Sequence, residues 1–213
     1  MVSLLRRRAM MVQAGGRRLP EGYTEVEYLQ GTGTQYILTT IVPRNTCVEA
    51  DFKFGSIASG TDGSIIGKYE VDDQRYYALA KDARNRFKFS TRKNKNAWSA
   101  TTFNTNRHQT IFNDADHRAY FDGSLKATNS DFSCTGGTTP LTIFARNNST
   151  GVEFITPVTI YSLKVTDNDT GNILGEFVPC IRDSDNKAGM YDLATSQFYG
   201  NDGTGDFIAG DPV

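Results

Sequence analysis

Two acidic residues are spaced so that their carboxylates could work as a pair. Glu49 and Asp51 stand two positions apart in the segment 47–54, where apolar and polar residues alternate. On a β-strand this spacing puts both side chains on one face, and paired carboxylates about 5–9 Å apart can hydrolyse a glycosidic bond. A strand with a charged outer face explains the same residues without any chemistry. We therefore expect a non-catalytic protein and keep a degenerate glycoside hydrolase as the weaker alternative.

The other nucleophiles and bases do not form a recognisable catalytic set. His108 and His117 have no Ser or Cys partner in a familiar setting, so we expect a strand residue and a turn residue. Cys47, Cys134 and Cys180 are far apart and show no C-x-x-C spacing, which favours reduced thiols over disulfides or a zinc site. This pattern fits folding in a reducing cytoplasm.

Binding is better supported than catalysis by the residues between positions 69 and 98. Aromatic rings there can cover the C–H face of a sugar, and amides and a carboxylate can bind its hydroxyls. The alternative is that Trp98 and one tyrosine pack between sheets, since large aromatic residues are usually buried. The lysines and arginines of this stretch fit a solvated strand face, so no specific nucleic-acid partner is expected. The glycan-binding candidates are Trp98, Tyr76, Tyr77, Asp82, Asn94 and Asn96.

The elements that must position these residues are short β-strands. About a dozen runs alternate apolar and polar residues between turn sequences, and none shows helical periodicity. The segments 75–91 and 108–121 each predict a hairpin. The segment 158–165 keeps its apolar residues on one face only if a β-bulge lies near Ser162. The pattern predicts an all-β sandwich or barrel.

Charge is divided unevenly between an N-terminal arm and the rest of the chain. The 213 residues include 23 Lys and Arg and 24 Asp and Glu, a net charge of −1. Residues 1–19 hold five arginines and no acid, so we predict a basic arm in front of one domain at 20–213. A solvated tail is the alternative, and no stretch fits a secretory signal or a membrane span. The predicted anchoring residues are Leu4, Leu5, Arg6, Arg7, Arg8, Met10 and Met11.

Several short motifs, taken in their order along the chain, resemble one known family. The motifs are Gly22–Leu29 with Gly31–Ile37, Ala119–Gly123, Pro140–Ala145, Val158–Asp167, and Gly189–Asp192 with Asn201–Phe207. Their order resembles that of concanavalin A-like, or laminin-G-like, jelly-roll domains and covers roughly residues 20–210. The ending is similar to a variant common in bacteriophage structural proteins and gut-bacterial surface proteins.

The resemblance implies an all-β, two-sheet antiparallel jelly-roll sandwich behind a short N-terminal arm. Glucanases of this fold carry their acids as E-x-D-x-x-E or E-x-D-x-E on one strand, whereas Lys53 and Phe54 stand here where the last acid would lie. Laminin-G-like domains often bind calcium, which is the one cofactor that the resemblance raises. The Asp pairs that could serve, none with a complete calcium-loop pattern, are Asp114/Asp116, Asp167/Asp169 and Asp183/Asp185.

The resemblance is compatible with two functions of different classes, of which we expect the first and keep the second as the alternative. The first is a non-catalytic phage virion protein, such as a capsid decoration, head fibre or tail component, made in the bacterial cytoplasm. Its arm would contact other virion proteins, and its jelly roll would adhere to a surface or to cell-surface polysaccharide. The second is a bacterial carbohydrate-binding module or lectin at the cell surface or outside the cell. A homo-oligomer is compatible with both, because single-domain adhesins are often symmetric.

Overall fold

The computed structural model describes residues 18–55, 62–70, 76–83, 86–90, 96–102, 104–128 and 137–213, except for the side chains of residues 76–77 and 96–102. Every regular element in this part of the chain is a β-strand, and no helix there is long and apolar enough to cross a bilayer. The strands, numbered in chain order, form two sheets. The prediction of an all-β, two-sheet sandwich is confirmed.

The first sheet contains the longest strands, and all its pairings are antiparallel. Three short strands extend it: β1 (Tyr23–Glu25) pairs with β16, and β2 (Leu29–Gln30) pairs with β15 and with β19 (Ile208–Ala209). Its main strands, in spatial order, are β11 (Ser124–Thr128), β10 (Arg118–Phe121), β9 (Arg107–Asn113), β4 (Thr46–Phe54), β15 (Val158–Asp167), β16 (Ile173–Arg182), β17 (Lys187–Asp192) and β18 (Gln197–Tyr199).

The second sheet is antiparallel except where Asn147 pairs in parallel with Lys68. Two short strands, β12 (Thr142–Ile143) and β3 (Ile37–Leu38), continue it beside β5. Its main strands, in spatial order, are β14 (Val152–Glu153), β13 (Arg146–Asn147), β5 (Gly63–Tyr69), β6 (Tyr76–Lys81), β7 (Arg86–Ser90) and β8 (Asn96–Thr102).

The chain passes repeatedly from one sheet to the other. Strand β4 belongs to the first sheet, β5 to β8 to the second, β9 to β11 to the first, β12 to β14 to the second, and β15 to β18 to the first. As a result β4 lies between β9 and β15, its neighbours in space but not in sequence. Such crossings between two packed antiparallel sheets produce a jelly-roll sandwich.

Phenylalanine rings from both sheets form the centre of the core. Phe52 of the first sheet stacks on Phe87 of the second with ring centroids 5.8 Å apart, and Phe89 meets Phe87 edge-on at 4.3 Å. All three are fully buried. Each buried phenylalanine contributes about 1.5–3 kcal/mol through removal of apolar surface from water, so these contacts hold the two sheets together.

The predicted bulge in the last long strand is confirmed. The register of β15 on β4 shifts between Ile160, which lies opposite Phe52, and Ser162, which lies opposite Asp51. One extra residue, Tyr161, is accommodated there, so the apolar residues on both sides of it stay in the core. The two predicted hairpins are also present, as β6–β7 and β9–β10.

A smaller apolar cluster lies apart from the main core, beside β16 and β17. Val178, Cys180 and Tyr191 form it, and the buried side chain of Leu19 packs against them. Arg18 forms an ion pair with Glu25 close by. These contacts hold the first described residues against the body. The predicted anchoring residues between Leu4 and Met11 lie outside the described residues.

Candidate functional site

The predicted glycan-binding residues fall mostly on neighbouring strands of the second sheet. Tyr76 and Tyr77 belong to β6, Asn96 and Trp98 belong to β8, and β7 lies between these strands. Their side chains, and the whole of Asn94, lie outside the described residues. The backbone therefore gathers four of the six candidates on one sheet, and their ligand contacts stay a prediction.

The sixth candidate, Asp82, closes the β6–β7 hairpin. It is buried, and its carboxylate accepts hydrogen bonds from the backbone N of Arg86 at 2.7 Å and from the Arg86 Nε at 2.8 Å. The Arg86 Nη2 lies 2.7 Å from the same carboxylate. This fork of charge-assisted bonds explains Asp82 as a structural residue of the turn.

Small residues line part of the second sheet on the face turned away from the core. Gly67, Ala78 and Ser90 lie directly opposite one another on three adjacent strands. Ala78 and Ala80 are buried but form a cluster separate from the main core, and the ring of Tyr69 packs against it. The small side chains let Tyr69 lie close to the sheet at the end of β5.

Beside these small residues lies a second group of side chains, which we call the aromatic–arginine cluster. It consists of Tyr69, Arg146, Glu153 and Phe154. The Arg146 guanidinium carbon lies 4.3 Å from the centroid of the Phe154 ring and 5.6 Å from that of Tyr69. Its Nε and Nη2 atoms donate to Glu153 Oε1 at 2.8 and 2.6 Å. Arg146 and Glu153 are cross-strand partners in β13 and β14, which places their side chains together.

Backbone geometry holds the Phe154 ring in the aromatic–arginine cluster. Phe154 has φ of 53°, a left-handed conformation that bulky residues rarely adopt. Its carbonyl oxygen accepts hydrogen bonds from the backbone N of Ser64 at 3.2 Å and from Thr156 Oγ1 at 2.8 Å. Such strained residues concentrate at binding sites, so this conformation is consistent with a recognition role.

A buried carboxylate anchors the chain next to the aromatic–arginine cluster. Glu70 Oε1 accepts the backbone N–H groups of Thr138 and Thr139, both at 2.7 Å, and lies 3.6 Å from the buried Lys68 amine. Burial raises the pKa of Glu70, but the two N–H groups and the Lys68 charge outweigh it and bring the pKa to about 2. The end of β5, which carries Tyr69, is therefore rigidly tied to residues 137–139.

The aromatic–arginine cluster has the chemistry of a sugar site. Two aromatic rings flank a fixed guanidinium, and Glu153 Oε2 accepts no hydrogen bond from the described residues. Rings cover the C–H face of a pyranose, and a carboxylate oxygen accepts from its hydroxyls. Arg146, Glu153 and Phe154 are not among the residues predicted from the sequence. The available signal was the hairpin turn Asn148–Gly151, which brings an arginine opposite an acid.

The paired carboxylates Glu49 and Asp51 lie on the outward face of the first sheet and have separate environments. Asp51 is buried and binds the Arg107 guanidinium through both oxygens, at 2.6 and 2.9 Å, with the Gln109 amide 3.0 Å away. Glu49 is half-exposed and lies 4.0 Å from the Lys164 amine. Asp51 is thus held in an ion pair, an arrangement that suits a structural carboxylate.

The carboxylates of the predicted calcium loops form hydrogen bonds with nearby groups of the protein. Asp167 accepts the backbone N of Asp169 at 2.8 Å, and Asp185 binds Arg182 at 2.6 Å. Within the described ranges no three His, Cys, Asp or Glu side chains are arranged to hold a metal ion. The described residues therefore do not form a calcium site, and the remaining carboxylates of these pairs also accept hydrogen bonds from the protein; they are Asp114, Asp116, Asp169 and Asp183.

Several solved structures resemble the chain in fold. The IT-sialidase CBM40 from Ruminococcus gnavus, bound to alpha2,3 sialyllactose, is 14% identical, with a TM-score of 0.49 over 70% of this chain and 92% of that one. A SAP-like pentraxin from Limulus polyphemus is 12% identical, with a TM-score of 0.44 over 68% and 75%. The NanB sialidase from Streptococcus pneumoniae is 11% identical, with a TM-score of 0.39 over 87% and 39%. No protein-family model matches the chain, and no curated protein is similar to it in sequence.

Proposed function

We propose that this protein is a non-catalytic carbohydrate-binding module whose principal glycan site is the aromatic–arginine cluster. The observation that carries the proposal is the Arg146 guanidinium, held by Glu153 between the rings of Phe154 and Tyr69. These four groups are positioned before any ligand arrives, so binding would order few side chains. The backbones of the predicted residues of β6 and β8 belong to the same sheet.

The test is a binding assay on an array of bacterial and host glycans, followed by calorimetry with the best ligand. Tyr69→Ala and Glu153→Gln should each weaken binding about tenfold or more, because they remove a stacking ring or a hydroxyl acceptor. Arg118→Gln is the matched control, since Arg118 is an exposed residue of the other sheet. Thermal melting of each variant separates loss of binding from loss of fold.

Two results would contradict the proposal. One is that Glu153→Gln and Tyr69→Ala, while folded, bind glycans as tightly as the unchanged protein. The other is turnover of a bound polysaccharide, which would replace the non-catalytic assignment. Loss of that turnover in Glu49→Gln would then identify the degenerate hydrolase alternative.

A second candidate function places the same module in a phage virion. Its support is the resemblance of the chain ending to phage structural proteins, together with the basic arm. Leu19 and Arg18 tie the base of the arm to the body, so residues 1–17 would start from a fixed point on the first sheet. Deleting residues 1–17 should abolish incorporation into particles without changing glycan binding. Unchanged incorporation would favour a module at the bacterial surface or outside the cell.

A further inference from the structure

A second polar and aromatic surface lies on the outward face of the first sheet. We call it the Tyr161 surface; it consists of Tyr28, Asp51, Arg107, Gln109 and Tyr161. The Arg107 guanidinium carbon stacks 3.8 Å from the centre of the Tyr161 ring, and Tyr28 meets that ring edge-on at 5.8 Å. Because the two sheets pack through their inner faces, this surface and the aromatic–arginine cluster lie on different sheets and are independent.

Tyr161 points outward with or without the β-bulge, and the bulge sets its register, because Ser162 takes the position opposite Asp51. A regular strand would place residues 160 and 162 on one face and 161 on the other, in step with β4. The extra residue restores the core positions beyond it and leaves Tyr161 beside Arg107. Bulges are common next to functional sites.

Asp51 fixes the polar groups of this surface in place. It holds two nitrogens of Arg107 and the amide nitrogen of Gln109. The Arg107 side chain nevertheless stays 54% exposed, and its Nη1 makes no hydrogen bond to the described residues. The Gln109 carbonyl oxygen is likewise left as an acceptor. The two N–H groups of Arg107 Nη1 can therefore donate to a ligand, and the Gln109 carbonyl oxygen can accept from it, beside the Tyr161 ring.

The charges of the Tyr161 surface select the class of ligand. On this face Arg107 and its exposed cross-strand partner Lys53 are matched in charge by Asp51 and Glu27, so the surface has no excess positive charge for an anion. We infer that the Tyr161 surface is a second carbohydrate site that takes a neutral pyranose, stacked on the Arg107–Tyr161 pair and bonded to Arg107 and Gln109. This inference does not need the site on the second sheet, since each surface could bind alone.

The experiment is an amide-resolved NMR titration of the full chain. The probes are methyl α-D-glucopyranoside, methyl β-D-galactopyranoside and N-acetylglucosamine, with N-acetylneuraminic acid as the anionic comparison. At least one neutral sugar should give saturable shifts at Arg107, Gln109 and Tyr161, and the anionic sugar should give none there. Tyr161→Ala should abolish these shifts, and Gln109→Ala should weaken them if the first variant folds poorly. Tyr69→Ala is the control that should leave them unchanged.

Each other outcome overturns the inference. No sugar-dependent shift on the first sheet would exclude the site, whether or not the aromatic–arginine cluster responds. Shifts that vanish in Tyr69→Ala would assign the binding to the second sheet. Shifts that follow protein concentration in place of sugar would mark the surface, with the exposed Ile111 and Leu125 on the same sheet, as a protein contact.

Discussion

Two buried carboxyl groups at different regions of the sandwich have opposite environments. Glu70, beside the second sheet, binds two backbone N–H groups and lies near the Lys68 amine, and its pKa falls to about 2. Asp114, in the β9–β10 turn of the first sheet, is also buried, and its Oδ1 has no hydrogen-bond partner among the described residues. Burial raises its pKa to about 7, against a single opposing bond from the Thr46 backbone N.

The difference shows that hydrogen-bond and charge partners, together with burial, decide whether a carboxylate stabilises this fold. A buried charge with donors on it is favourable, whereas the same charge without them costs free energy. The region around Glu70 is therefore expected to be a firm support for the binding surface. The region around Asp114 is expected to weaken as this residue ionises.

The largest expected effect comes from removing the charge of Asp114. Its folded-state pKa of about 7 lies above the ordinary 3.8, so the folded state holds a proton that the unfolded state releases between these values. The tighter binding of this proton adds up to about 4 kcal/mol to the free energy of unfolding. This contribution is fully present below about pH 4 and is lost as the pH rises to about 7. Asp114→Asn should therefore be more stable than the unchanged protein at pH 8, measured by urea unfolding.

The control for this prediction is Asp116→Asn, an exposed acid in the same turn. It should change stability by no more than about 0.5 kcal/mol. If Asp114→Asn shows the same pH profile as the unchanged protein, Asp114 is solvated and the contrast with Glu70 disappears.

Glu70→Gln should have the next largest effect. It should lower the free energy of unfolding, whereas Asp114→Asn should raise it. The amide can still accept the Thr138 and Thr139 N–H groups, but it removes the negative charge that lies 3.6 Å from the buried Lys68 amine. Breaking a buried ion pair costs about 3 kcal/mol, which urea unfolding at pH 7 should detect. This cost should shrink as pH falls from 4.5 towards 2, where Glu70 becomes protonated. The half-buried Glu176, changed to Gln, is the control; an equal loss there would remove the special role of Glu70.

Gly137→Ala should destabilise the fold by disturbing the backbone segment that binds Glu70, which tests the role of that carboxylate. Gly137 has φ of 101°, and an added Cβ would contact the Glu70 carboxylate. We expect a loss of about 2 kcal/mol from strain and displacement of the carboxylate. Gly123 has φ of 73°, and an added Cβ there would have no neighbouring atom within 4 Å. Gly123→Ala should therefore show the backbone conformational cost alone, about 1 kcal/mol. Equal losses would mean that the contact with Glu70 is unimportant.

The smallest effect concerns the thiol of Cys47, which lies near Asp114. Burial, followed by the charges of Glu49, Asp116 and Asp114, raises the pKa of Cys47 to about 12. In a chain that keeps only this cysteine, alkylation at pH 8 should be at least about tenfold slower than in urea. Adding Asp114→Asn should speed the reaction by less than about twofold. A native rate equal to the unfolded rate would show that this region is open.

The sequence predicted the strands well because their cause is local. Alternating apolar residues required a bulge near Ser162 to keep Leu163 and Val165 in the core, and the register shift is found there. The turn sequences likewise predicted the β6–β7 and β9–β10 hairpins. Short-range pattern and turn chemistry act on neighbouring residues, so they are readable from one sequence.

The candidate site was predicted only in part, because its groups meet through the sheet register. The sequence pointed to the second sheet through its aromatic residues, and its only signal for Arg146 and Glu153 was the turn between them, which does not show that Tyr69 lies beside them. Asp82 was predicted to bind a glycan, yet its carboxylate accepts hydrogen bonds from Arg86 of the same hairpin. The role of Tyr161 depends on its register at the bulge and on Arg107, which comes from another strand.

By itself the sequence determined that this chain alternates in period two and therefore forms stacked antiparallel sheets with short turns. Only the tertiary structure decided which charges are satisfied. Glu70 finds its donors 68 and 69 residues away, and Asp51 finds Arg107 56 residues away. Among the described residues, Asp114 finds one hydrogen bond for its carboxylate, and its Oδ1 has none. The free energy of a buried charge depends on atoms within a few ångströms in space, and the order of residues along the chain does not specify which atoms those are.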